Sequence, residues 1–160
     1  MLADEKIDII FDDDSAGEAA DVIAINVDKA RSIIHVDFYH CKFSLHPSPG
    51  ARVEELYVVC GQAQKSIRWK ERFDRLVKHM IHREKTWQTT GHTRFERGDF
   101  RKLVESRNMS QFYAYELNMH IVQPGLSKNL ASQAQLELLC VTESYLKDTY
   151  NIPLQIIGND

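Results

Sequence analysis

The feature that most constrains this chain is a pair of β-rich runs set close together. Residues 20–26 read Ala-Asp-Val-Ile-Ala-Ile-Asn, and residues 32–44 read Ser-Ile-Ile-His-Val-Asp-Phe-Tyr-His-Cys-Lys-Phe-Ser. Branched and aromatic side chains fill both runs, as a pleated, half-buried surface requires. The polar connection over 26–32 suits a hairpin, so the two runs are expected to pair as neighbours. Alternation along the second run puts His40, Lys42 and Ser44 on one face and Asp37, Tyr39 and Cys41 on the other. Residues 6–11 (Lys-Ile-Asp-Ile-Ile-Phe) add an earlier strand, and the turn formers at 12–15 close it onto the next. A meander of three antiparallel strands is the simplest arrangement.

The pattern then changes period. The spacing of Val53, Leu56, Tyr57, Cys60, Gln64 and Ile67 predicts a helix over 52–68. Gln64 interrupts its apolar face, as a satisfied buried amide or as a group looking into a site. Gly61 costs helix propensity and suggests close packing against the sheet. The helix is expected to continue over 69–85 on a shifted stripe of Phe73, Leu76, Val77, Met80 and Ile81. Lys70, Arg72, Arg75, Lys78, Arg83 and Lys85 occupy its other faces, and His79 and His82 read as surface residues. A loop over 86–93, a short helix over 99–107 and a strand over 112–123 follow, with Pro124-Gly125 ending the strand. Ser127 reads as a cap for a helix over 131–150, and residues 152–157 as a closing edge strand after Pro153. Strands first and helices after point to an α/β fold with a mixed central sheet flanked by helices.

Composition bounds the rest. The chain has 160 residues, 43% of them hydrophobic and 27% charged, enough for one domain over 1–160 with a real core. No run has the length of a membrane span, no export signal opens the chain, and three widely spaced cysteines suit reduced thiols, so a cytoplasmic protein is expected. Cys41 and Cys60 sit among apolar residues and read as buried thiols. Cys41, Cys60, His40 and His46 fit no standard zinc spacing. The net charge of −3 argues against nonspecific coating of nucleic acid. Charge is nevertheless segregated: residues 4–28 are acidic apart from Lys6, whereas 65–107 are rich in lysine and arginine. That asymmetry suits an acidic metal site beside a basic docking surface.

Gly17-Glu18-Ala19-Ala20-Asp21 opens one strand, and Tyr39-His40-Cys41-Lys42-Phe43-Ser44 closes the next. A helix carrying Cys60-Gly61-Gln62-Ala63-Gln64-Lys65-Ser66 follows. Together with Pro49-Gly50-Ala51-Arg52 and Val122-Gln123-Pro124-Gly125-Leu126-Ser127, this wording resembles the PD-(D/E)xK nuclease superfamily. It looks like the C-terminal segment of large bacterial helicase-like proteins from mobile or defence-related loci. The resemblance implies a restriction-endonuclease-like fold and a site that hydrolyses DNA phosphodiesters with Mg or Mn. By position, Asp21 matches the metal-binding aspartate and Lys42 the catalytic lysine. Gln64, with Gln62 or Lys65 beside it, would brace the site from the helix. The family pattern has Asp or Glu two residues before the lysine. Here that residue is His40, so Glu18 and His40 join Asp21 as candidate metal ligands. Lys65, Arg68, Lys70, Arg72 and Arg75 would meet flanking DNA phosphates. The resemblance also implies a fragment of a longer chain, with a helicase domain in the same or a partner chain. The alternative function is a DNA-binding or interaction module of a helicase-like protein that no longer cuts.

Overall fold

The first strand, β1 (Ile9–Asp12), pairs antiparallel with β2 (Val22–Asp28) in the register Ile9 to Ile25 and Phe11 to Ile23. These four side chains therefore share one sheet face, and none is more than 1% exposed. β3 (Ile33–Cys41) buries Ile34, Val36 and Phe38 between half-buried neighbours, the alternation its sequence shows. The chain is described by a computed structural model over residues 7–44 and 48–159; Lys6 of the expected first strand and His46 and Pro47 of the expected loop lie outside the described residues. Six strands form one mixed sheet in the order β4-β1-β2-β3-β5-β6. β4 (Phe95–Arg97) is antiparallel to β1, and β6 (Leu154–Asn159) is parallel to β5 (Ala114–Ser127). The expected α/β class, with β1, β2 and β3 adjacent and a closing strand at one edge, is the observed one.

The helices are α1 (Glu54–Lys65), α2 (Phe73–Gln88), α3 (Phe100–Met109) and α4 (Gln133–Ser144). The long helix expected over 52–85 is two. A 3-10 turn, Ser66–Trp69, follows α1, and the chain then breaks where Glu71 takes a φ of +59°. The shift in apolar stripe between Ile67 and Phe73 was the trace of that break. β5 runs on through Pro124-Gly125 instead of ending there. Its register with β6 shifts between Val122 and Ser127, so the proline ring occupies an irregular stretch of the β5–β6 pairing. Ser132, not Ser127, caps α4, in a reciprocal capping box with Gln135. The helix then passes into a π-helical turn, Tyr145–Thr149. β4 was not foreseen; three residues are too few to show a period.

The chain divides into two compact units. The first comprises the chain up to Phe38 together with Arg68–Leu117. In it α2 buries Phe73, Leu76, Val77 and Met80, α3 buries Leu103, and Phe95 meets Phe11 edge to face at 5.1 Å. Asp99 caps α3 by accepting from the Lys102 amide at 2.8 Å. The second comprises Tyr39–Ile67 and the chain from Asn118. There α1 buries Leu56, Val59, Cys60 and Ala63. Buried Gln135 of α4 donates to the carbonyls of Gly50 and Arg52, both at 2.8 Å. Gly61 does not serve close packing: a Cβ there would meet nothing within 4 Å. Cys60 is buried as expected, whereas Cys41 is exposed because it ends its strand.

Candidate metal and phosphate site

The β1–β2 connection turns the run Asp12-Asp13-Asp14 to different tasks. Asp13 points inward and is fully buried. Its carboxylate accepts from the Ala19 amide at 2.7 Å, from Arg83 Nε at 2.7 Å and lies 2.8 Å from His79 Nε2. Arg83 reaches further into the loop, donating to the Ala16 carbonyl at 2.9 Å and to Ser15 Oγ at 2.7 Å. A second guanidinium, Arg94, donates to the carbonyls of Asp12 at 2.8 Å and Asp14 at 3.2 Å and lies 4.4 Å above the Trp87 ring. Buried Glu84 of α2 holds this second clamp in place. It accepts from the Arg94 amide at 2.8 Å and from Thr93 Oγ1 at 2.9 Å. The loop is thus held by two arginines, Arg83 on α2 and Arg94 beyond its end, while its other acids face outward.

Those outward acids are Asp14, Glu18 and Asp21. One carboxylate oxygen from each lies within 4.8 Å of the other two. Glu18 also accepts from the Ser15 amide at 3.0 Å, which fixes its rotamer across the loop. Three carboxylate oxygens from one short loop form a hard donor set of the kind that Mg, Mn or Ca takes, and one that a soft metal does not favour. The residues present fit a divalent ion.

The same unit carries a cleft of about 540 Å³ lined by Arg68, Trp69, Arg72, Arg75 and His79. The break between the 3-10 turn and α2 makes it, because reversal at Glu71 sets Arg68 and Trp69 beside the first turns of α2. Arg68 lies 5.1 Å over the Trp69 ring, and the His79 ring is 5.1 Å from the same indole. His79 therefore belongs both to the cleft wall and to the buried Asp13 pair.

The residues expected to form a site divide as follows. Asp21 and Glu18 come together, joined by Asp14. They lie in the first unit with Arg68, Lys70, Arg72 and Arg75; His40, Lys42, Gln64 and Lys65 lie in the second. His40 is 1% exposed, and burial pushes its imidazole down to about 4, so it is neutral at pH 7. Lys42 is half-buried at the strand end, its amide bonded to the Val122 carbonyl at 3.0 Å. Gln64 donates to Thr142 Oγ1 at 3.3 Å, so of its two expected states the satisfied amide is observed. His79 and Arg83 are not surface residues: their side chains are only 16% and 13% exposed. Asp13, Asp14, His79 and Arg83 escaped the sequence reading. The spacing of Arg75, His79 and Arg83, one per helical turn on a single stripe, was the available signal. Comparison with family models, with curated proteins and with solved structures found no match.

Proposed function

We propose that this chain hydrolyses DNA phosphodiesters with a divalent metal, Mg or Mn, held on Asp14, Glu18 and Asp21 in a restriction-endonuclease-like domain. The observation that carries the reading is the oxygen triad, in the same unit as the arginine cleft. A divalent ion on such a triad lowers the pKa of a bound water and screens the phosphoryl oxygens. The chain's own contribution is to fix the triad. Arg83 and Arg94 anchor the loop backbone, and Asp13 is buried beneath it in an ion pair with Arg83. Arg68, Arg72 and Arg75 supply phosphate affinity that carries no sequence preference.

The test is nicking of closed circular plasmid in Mg or Mn, with Asp14→Asn, Glu18→Gln and Asp21→Asn in parallel. Each variant is expected to lower the rate by more than the roughly 10–100-fold typical of losing an outer-shell partner, since each removes a direct ligand. Lys42→Ala in the same assay tests the lysine that the resemblance carries over. Cleavage that survives all three carboxylate changes would falsify the site. A second reading, DNA binding without cleavage, is favoured by one observation: where the family pattern has an acid, this chain has a buried neutral imidazole, His40. Salt-sensitive DNA binding by a chain that never nicks plasmid supports that reading over the first.

A further inference from the structure

We propose that the cleft of Arg68, Trp69, Arg72, Arg75 and His79 is a receptor for a phosphate monoester dianion, such as a nucleic-acid strand terminus or a mononucleotide carries. Its shape is the first argument. A protein that merely follows a phosphodiester backbone needs a stripe of separated cations, each meeting one negative charge. Here three guanidinium groups line one concavity of about 540 Å³, a volume suited to a small ligand. Planar guanidinium forks match the paired oxygens of a terminal phosphate.

The surrounding charges give the second argument. Among the described residues no carboxylate pairs with Arg68, Arg72 or Arg75. Asp74, the one acid in the first turn of α2, is held instead by Lys78 at 2.7 Å and Arg107 at 2.6 Å. Arg72 occupies the N-cap position and makes no side-chain capping bond, so the positive end of a sixteen-residue helix adds to the arginines. The Trp69 indole supplies an apolar wall on which the base or sugar next to the phosphate can rest.

The proposal uses arginines that the nuclease reading gives to flanking phosphates, but it needs neither metal nor cleavage. It is tested by fluorescence anisotropy in EDTA, using one oligonucleotide sequence with a 5′-phosphate, with a 3′-phosphate or with hydroxyl at both ends. A phosphorylated end is expected to bind roughly tenfold tighter than the hydroxyl form, the effect of one charge-assisted contact set. Arg72→Gln and Arg75→Gln, both at exposed positions, are expected to erase that preference, whereas Arg31→Gln, at an exposed arginine outside both the cleft and the acidic triad, leaves it intact. Displacement by a nucleoside monophosphate identifies a mononucleotide as an occupant; preference for phosphorylated ends without such displacement identifies the strand terminus. Equal affinity for all three oligonucleotides, with no displacement by nucleoside monophosphate or inorganic phosphate, overturns the proposal. Closed circular plasmid has no ends, so the nicking assay and this one fail independently.

Discussion

Asp13→Ala isolates the contact on which the acidic loop rests. The wild-type carboxylate is fully buried and bonded to an amide, a guanidinium and an imidazole. Removing it takes away the carboxylate oxygen to which the Ala19 N–H donates, a cost of about 1–3 kcal/mol. It also leaves Arg83 and His79 without their shared anion, and breaking a buried pair from one side costs about 3–5 kcal/mol. Arg83 keeps three acceptors, the carbonyls of residues 13 and 16 and Ser15 Oγ, and retains some exposure, so the lower end applies. The expected loss is about 3 kcal/mol, or about 6–12 °C in Tm for a chain of this length. Urea and thermal unfolding followed by circular dichroism measure it directly. Asp13→Asn retains an acceptor oxygen and should cost less. Pairing Asp13→Ala with Arg83→Met should give non-additive losses, since the two side chains are in contact. A loss under about 1 kcal/mol for Asp13→Ala, or additive losses in the pair, would refute the claim that this carboxylate anchors the loop.

Two further outcomes concern the second unit. His40 titrates near 6.5 in the unfolded chain but is held near 4 by burial, so unfolding takes up a proton between those values. The stability that neutral His40 contributes is complete above pH 6.5 and lost as pH falls toward 4, about 3 kcal/mol in all. His40→Leu should flatten that part of the stability profile measured by urea unfolding, and an unchanged slope would remove His40 as its source. Gly61→Ala should stabilise the chain by about 0.5–1 kcal/mol, because the site is helical and open around a new Cβ. A destabilised Gly61→Ala would show that the glycine serves a contact after all.

The elements most legible in sequence were those whose burial is periodic. The alternation of Ile34, Val36 and Phe38 and the stripe of Phe73, Leu76, Val77 and Met80 each state a period and a face. Illegible features depended on single residues whose role is set from afar. Glu71 breaks a helix through a positive φ that its side chain does not announce. Pro124 sits within a strand because the neighbouring register slips beside it. Within Asp12-Asp13-Asp14, composition makes the three acids equivalent, and only the approach of α2 residues 66 and 70 positions later selects the middle one for burial. Two of the three candidate metal ligands, Asp21 and Glu18, were readable from the strand and its approach; Asp14 was hidden by that equivalence.

Arg75, His79 and Arg83 stand four residues apart along α2, so the helix works as a ruler with a tick about every 6 Å. Its first tick touches the arginine cleft, its second touches both cleft and loop, and its third holds the loop alone. One residue inserted between His79 and Arg83 would swing the third tick by about 100° and uncouple the carboxylates from their footing, while the cleft kept its arginines. Spacing on this one rod, more than the identity of any single acid, therefore sets the distance between the place where a phosphate can be gripped and the place where a cation can be held.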